Sequence, residues 1–253
     1  MSENKIAIIT GGSRGLGKDM ALRLAEKGSD IILTYHTQKD AADEVIQQVV
    51  SMGRKGAALQ LDVENFKAIQ PFLDAVKDTL QSEWGVEKFD FLVNNAGIGA
   101  TLPFEKVTEA DFDRFTNVHF KSVYFLTQGL LPLMNDNGRI INISSATTRY
   151  CVPGYSVYAS MKGAIETLTK YLAKEVGARG ITVNVVAPGP VETDFNNAAI
   201  RNNPDRKTFM ANMTALGRVG VAEDIGGIIA MLCSEDARWI TAQRIEASGG
   251  IAL

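Results

Sequence analysis

Short apolar runs alternate with longer amphipathic stretches along almost the whole chain, and this alternation restricts its architecture more than any other feature. KIAII (5–9), DIILT (30–34), AALQL (57–61), FDFLV (89–93), RIINI (139–143), TVNVV (182–186) and RIEA (244–247) read as strands, each bounded by a glycine or polar turn. Between the first two, Leu16, Met20, Leu24 and Lys27 recur at helical spacing, and Gly28 ends the pattern. Similar helical patterns occupy about 39–51, 65–81, 112–134, 156–177 and 222–233. Strict alternation calls for parallel strands joined by right-handed crossovers, with helices on both faces. The expected fold is α/β, a doubly wound parallel sheet of about seven strands.

No Pro-rich or Ser-rich linker, charge block or internal repeat divides the chain, so residues 1–253 read as one domain. The longest stretch without an assigned element is 188–221. It follows the C-terminal end of a strand, where sheets of this kind bind ligands, and a partly helical substrate lid is expected there. Composition narrows the partners. With 26 basic and 29 acidic side chains, and no cluster of Lys and Arg interleaved with aromatics, the chain offers no footprint for nucleic acid. Cys151, Cys233, His36 and His119 are too scattered for a disulfide framework or a metal site, and Cys151 reads as a small packing residue. No apolar stretch approaches the ~20 residues that cross a bilayer, and MSENKIAIITGG lacks the apolar core of a secretory signal. A cytoplasmic protein that acts on a small molecule is expected, with no membrane partner.

The chemistry-bearing residues fall on turns and on one helix. Thr10-Gly11-Gly12-Ser13-Arg14-Gly15-Leu16-Gly17 joins the first strand to the first helix, where backbone amides and a helix N-terminus can meet a pyrophosphate. The spacing is G-x-x-x-G-x-G, and a tight structural turn is the alternative for such a segment alone. Tyr158 and Lys162 are four apart on a predicted helix, which sets both side chains on one face. An ammonium about 4 Å from a phenol contributes about 4 kcal/mol at an effective dielectric of 20, equivalent to about three pKa units, so Tyr158 is expected near neutrality. A phenol of that kind can serve as a general acid, and Ser145 can hold a substrate oxygen against it.

TGGSRGLG, NNAG at 94–97, Asn117, Ser144-Ser145, YASMK at 158–162 and PGPVET at 188–193, in this order and spacing, resemble the short-chain dehydrogenase/reductase family across essentially the whole chain. The resemblance implies a Rossmann-type sheet, a bound nicotinamide cofactor, and hydride transfer between it and a carbonyl or alcohol. It implies a catalytic set of Asn117, Ser145, Tyr158 and Lys162, with Asn117 holding a water that relays protons to the lysine. Singly, Ser145 also fits a strand-end cap and Asn117 a solvated helix residue.

Around the cofactor the resemblance places Gly11, Ser13, Gly15, Leu16 and Gly17 at the pyrophosphate. Asp62 and Val63 are placed at the adenine, Asp62 also fitting a helix cap. Asn94 is implied as a sheet-stabilising residue, with Ala96 and Gly97 admitting the cofactor, and Pro188, Gly189, Val191 and Thr193 at its nicotinamide end. Charge selects the nucleotide. Where an NAD site usually carries Asp or Glu, this chain has Tyr35, His36 and Thr37, and Arg14 with Lys39 supplies positive charge, so NADPH is expected unless both cations are only solvated.

Thr147, Tyr155, Pro190 and Phe195 are expected to line the substrate pocket. Tyr155 also lies seven residues before Lys162, the spacing of the family's enoyl reductases, but the intact glycine turn favours Tyr158 as the acid. The subgroup includes 3-oxoacyl-(acyl carrier protein) reductases and carbonyl reductases of small molecules. Asp136 stands where a basic surface would greet an acidic carrier protein, which favours a free carbonyl substrate over the carrier-bound alternative. A non-catalytic nucleotide sensor is a third reading. Apolar residues on several faces of 112–134 and 156–177, among them Phe115, Phe120, Tyr124, Leu131, Ile165, Leu168 and Leu172, suggest a homotetramer.

Overall fold

The computed structural model describes residues 4–253. Strands β1 (Ile6–Ile9), β2 (Asp30–Tyr35), β3 (Gly56–Gln60), β4 (Phe89–Asn94), β5 (Met134–Ile143), β6 (Thr182–Pro188) and β7 (Arg244–Ala247) form one parallel sheet. Their order is β3-β2-β1-β4-β5-β6-β7, the doubly wound arrangement that the alternation calls for. The helices are α1 (Gly15–Glu26), α2 (Lys39–Ser51), α3 (Ile69–Thr79), α4 (Glu109–Thr116), α5 (Ser122–Leu130), α6 (Ser156–Val176), α7 (Phe195–Ala198), α8 (Pro204–Asn212) and α9 (Glu223–Cys233). Among the described residues no helix is long and apolar enough to cross a membrane.

Alternation along each strand divides the core into two layers. Ala7, Ile9, Ile31, Leu33 and Val93 pack under α1, α2 and α9 against Met20, Leu24, Val45, Val49 and Ile229. Ile6, Ile8, Ile32, Leu92 and Ile140 face the opposite way, against Phe72 and Val76 of α3, Leu126 and Leu130 of α5, and Val176 of α6. With both faces covered, every residue of β1, β4 and β6 is buried, and these strands read as nearly unbroken apolar runs. Each fully buried Leu or Ile contributes about 1.5–3 kcal/mol, and the helices supply that burial on both sides. The strand order reverses beside β1, and the C-terminal ends of β1 and β4 there border an open crevice.

The expected helix at 112–134 has a different form. It starts earlier, at Glu109, because Thr108 and Asp111 make a reciprocal capping box. It then passes through a π turn at Asn117–Lys121 and ends at Leu130. A 3₁₀ turn containing Pro132 follows, and β5 begins at Met134 rather than at Arg139. The polar run Asn135-Asp136-Asn137-Gly138 gives no strand signal, and Asn137 has φ 60°, so this half of β5 is irregular as well as polar. The expected helix at 65–81 is likewise composite, with a 3₁₀ turn at Phe66–Ala68, α3, and a π turn at Leu80–Trp84. Segment 188–221 carries α7 and α8. Cys151 is exposed instead of packed, while Cys233 is buried.

Candidate active site

The turn after β1 is fastened to the two strands beside it. The Gly11 amide donates to Thr34 Oγ1 at 3.0 Å, and the Gly12 amide to the Thr34 carbonyl at 2.8 Å. From the other side, Asn95 Nδ2 donates to the carbonyls of Thr10 and Gly11 at 2.9 and 3.0 Å. Thr10 Oγ1 accepts the Asn95 and Ala96 amides. Gly15 takes φ 55°, a region that favours glycine, and a Cβ on Gly17 would overlap the Gly11 carbonyl oxygen. Arg14 occupies the N-cap of α1 without a side-chain cap bond, so the first amides of that helix have no protein side chain closing them. A backbone pressed this close to open space at a helix N-terminus fits a dinucleotide pyrophosphate.

The crevice opens into a cavity of about 430 Å³. Every position expected to hold cofactor or substrate or to take part in catalysis lines it except Lys39, Asn94 and Asn117. At the β2 end the wall is Tyr35, His36 and Thr37, with Arg14 opposite and exposed. Lys39 lies off this wall, its ammonium held by Asp43 one helical turn away at 2.5 Å, so the positive charge expected there comes from Arg14 alone. Asp62 does not cap a helix. Its Oδ1 accepts the Glu64 amide at 3.0 Å in a local turn, and Asn65 caps the 3₁₀ turn that follows.

Past the glycine turn the cavity deepens to Ser145, Tyr158 and Lys162. Ser145 lies just past β5, and its Oγ accepts both the amide and the hydroxyl of Thr147, at 3.2 and 2.9 Å, which leaves its own proton to donate toward Tyr158 or a substrate oxygen. Ser144 faces away and donates to Glu166 at 2.7 Å. Tyr158 and Lys162 lie one turn apart on α6, the lysine buried and the tyrosine half-buried at the cavity wall. Burial pushes the Tyr158 phenol up to about 12, and hydrogen bonding with Ser145 offsets only part of this. The same desolvation brings Lys162 down to about 8. Tyr158 is therefore not drawn toward neutrality as the four-residue spacing suggests. The Lys162 ammonium lies 5.7 Å from the Tyr158 ring centre and donates to the Ile143 carbonyl at 2.7 Å, so desolvation of the phenol outweighs its attraction.

Two expected site residues lie elsewhere. Asn94 is buried in the sheet, donating to Thr127 and Asn142 at 3.0 and 2.8 Å, and stitches β4 to β5 and α5 rather than facing the cavity. Its neighbour Asn95 has the cavity position and braces the glycine turn. Asn117 opens the π turn and does not reach the cavity wall, whereas His119 does. The His119 ring is buried and stands edge-on to Tyr158 at 5.1 Å. Its Nε2 lies 2.9 Å from the Ile98 carbonyl, and its Nδ1 is buried without a partner. Desolvation first, and then the charge of Lys162, hold its pKa well below the ordinary histidine value, so the ring is neutral. His119 carried a signal in the sequence, being a polar aromatic inside an apolar helical stretch.

Tyr155 and Phe195 flank the phenol, their ring centres 6.0 and 6.2 Å from that of Tyr158. Tyr155 Oη accepts hydrogen bonds from Asn196 and Arg206. Ser145 adjoins Tyr158, which separates the two tyrosines that the spacing to Lys162 alone leaves ambiguous.

The family described as Enoyl-(Acyl carrier protein) reductase matches residues 11–252. An uncharacterized oxidoreductase of Methylorubrum extorquens is 36% identical over 98% of this chain and 98% of its own. The short-chain dehydrogenase/reductase FrzI of a Cladobotryum species is 35% identical, over 98% of this chain and 96% of its own. Among solved structures, the angucycline C-6 ketoreductase LanV with bound NADP superposes with a TM-score of 0.93 at 35% identity, covering 98% of this chain and 95% of that one. The matches span the glycine turn, the Ser145–Tyr158–Lys162 cluster and the whole sheet together, and the chain belongs to the short-chain dehydrogenase/reductase family.

Proposed function

We propose that the protein is an NADPH-dependent reductase that converts a ketone of a small molecule to a secondary alcohol. The observation that carries this reading is a protonated phenol beside a serine hydroxyl fixed by Thr147, at the far end of a cavity that starts at a glycine-shaped helix N-terminus. NADPH supplies a hydride to the carbonyl carbon when bound. Gly11, Gly15 and Gly17 let the α1 N-terminus approach its pyrophosphate, and Arg14, with Tyr35 in place of an acid, suits a 2′-phosphate. Ala96 and Gly97 leave room for the nicotinamide riboside, while Asp62, Val63, Val191 and Thr193 border the remainder.

The side chains then divide the work on the carbonyl oxygen. Ser145, fixed by Thr147, donates to that oxygen and polarises it. Tyr158 gives up its proton as negative charge develops there. Lys162, held at the Ile143 carbonyl, places a buried positive charge behind the phenol and stabilises the phenolate that results. The phenol is protonated at neutral pH and so can serve as the acid of the reducing direction. LanV, whose fold superposes on this one, is a ketoreductase with bound NADP, and this supports the same chemistry here.

The test is oxidation of NADPH against a panel of cyclic and aryl ketones. Turnover is expected with NADPH well ahead of NADH. Cofactor binding with no turnover on any ketone would favour a sensor. Preference for an acyl carrier protein substrate is the other outcome against this reading, and Arg179, which could have met such a partner, is already tied to Asp136 at 2.8 Å. The proposal includes assembly as a homotetramer in the cytoplasm. The exposed Tyr124 on α5 and Tyr171 on α6 support an interface along these helices, and sedimentation as a monomer at micromolar concentration would exclude it.

A further inference from the structure

Most arginines of the described residues have a carboxylate at hand. Arg114 pairs with Glu64, Arg149 with Glu246, Arg201 with Asp194 and Arg218 with Asp224. Arg54 and Arg238 have no ion pair but donate to carbonyl oxygens away from the cavity. Arg14 and Arg206 also lack an ion pair, and both line the active-site cavity, one at the glycine turn and the other on α8. The first has an anionic ligand waiting in the proposed function. The second does not.

Arg206 is half-buried, and its Nη2 donates to Tyr155 Oη at 3.1 Å. Asn196 Nδ2 donates to the same oxygen at 3.0 Å. A phenol oxygen that already accepts twice has its own O–H left to donate, so Tyr155 and the remaining Arg206 N–H groups form a set of donors without an acceptor. The nearby acids do not answer it. Asp194, also on the cavity wall, is held by Arg201 at 2.6 Å, and Glu192 by Lys207 at 2.5 Å. A guanidinium partly withdrawn from water without a counter-ion carries a desolvation cost that an incoming anion relieves, and its planar fork suits an oxyanion.

We infer that Arg206 and Tyr155 form a subsite for an oxyanion carried by the carbonyl substrate, a carboxylate or an ionised phenol. Tyr155 stands 6.0 Å from Tyr158, centre to centre, so the subsite adjoins the phenol that protonates the carbonyl. The inference rests on the reductase reading for its location and adds the chemical class of the substrate.

The experiment compares a neutral bicyclic aryl ketone with its carboxylate and phenol derivatives. The wild type should favour the carboxylate over the neutral parent. In Arg206→Ala the ratio of kcat/KM for carboxylate over neutral ketone should fall about 10- to 150-fold, mostly through KM, the scale of one lost hydrogen bond to a charged group. Arg206→Lys should recover part of that ratio. Binding of 2-naphthoate to the NADP-loaded protein, measured by calorimetry, should weaken in parallel in Arg206→Ala. If the phenol is the anion used, its Arg206-dependent advantage grows as pH rises toward its ionisation, whereas that of the carboxylate is constant between about pH 6 and 8. An equal loss on neutral and anionic ketones, as a purely structural role of Arg206 would give, or an unchanged ratio, would overturn the subsite. Failure of the wild type on every ketone would instead count against the reductase reading, and 2-naphthoate binding would still report on Arg206.

Discussion

The two ends of the cavity are built by different means. The nucleotide end is backbone: glycines without side chains, amides at a helix N-terminus, and a turn fastened to β2 and β4 by Thr10, Thr34 and Asn95. The substrate end is side chain, with Tyr155, Phe195 and Arg206 contributed by a helix edge and by the segment that carries α7 and α8. Backbone geometry tolerates few residue types, so the first end is narrowly prescribed. Side-chain geometry tolerates many, and the second end can change its ligand without changing the fold.

The contrast is sharpest at the two tyrosines. Tyr158 belongs to the fixed chemistry, and Tyr158→Phe should lower turnover by about two to four orders of magnitude while cofactor binding is retained. Tyr155→Phe keeps the ring and loses only the hydroxyl shared with Asn196 and Arg206, so its effect should be confined to KM. Steady-state kinetics on both variants decide the matter; a Tyr155→Phe enzyme that is dead beside an active Tyr158→Phe would reverse the assignment of the acid.

Next in size is the nucleotide end. Arg14→Ala should weaken kcat/KM for NADPH about 10- to 150-fold, since the 2′-phosphate loses a charge-assisted contact and Lys39 is committed to Asp43. Tyr35→Asp should nearly erase the NADPH preference by repulsion. Assays with both cofactors on one accepted ketone check this, and a wild type that prefers NADH would leave Arg14 as a solvated surface charge.

The same division explains what the sequence makes legible. The sheet, its order of elements and the glycine turn are readable because they rest on local rules: apolar runs buried on both faces, and glycine where a Cβ has no room. α2 is expected and found at 39–51. What the sequence hides depends on helix register and on tertiary placement. The π turn at Asn117–Lys121 has no signature in residue type, and His119 within it lines the cavity. The polar run 135–138 falls within β5 only because Met134 and Arg139 on either side of it pair with Phe89 and Phe91, across a register shift. The Tyr158–Lys162 spacing is visible, but the direction of the phenol's shift follows from burial, which spacing does not encode.

A smaller effect follows from Lys162. Burial holds it at about 8, so it loses its proton as pH rises through that value, and the positive charge that stabilises the developing phenolate goes with it. Reduction should be flat near neutrality and decline above about pH 8, approaching tenfold per unit. A profile of kcat/KM that keeps rising to pH 10 would mean that Tyr158 acts without the ammonium.

The smallest expected effect lies at the boundary between the two ends. His119 is neutral in the fold because burial and Lys162 depress its pKa well below that of an exposed imidazole, so below about pH 6.5 the unfolded chain binds a proton that the folded one does not. That contribution to stability is intact above the unfolded value and is lost as pH falls from there toward the folded value. His119→Phe keeps a ring against Tyr158 but removes the titration, together with the bond to the Ile98 carbonyl, whose loss costs about 0.5–1.5 kcal/mol. The variant should therefore melt slightly lower than the wild type at pH 7.5, with the difference narrowing by pH 5.5. Thermal denaturation at the two pH values measures this, and a gap that widens on acidification would place a charged, not a neutral, imidazole beside Tyr158.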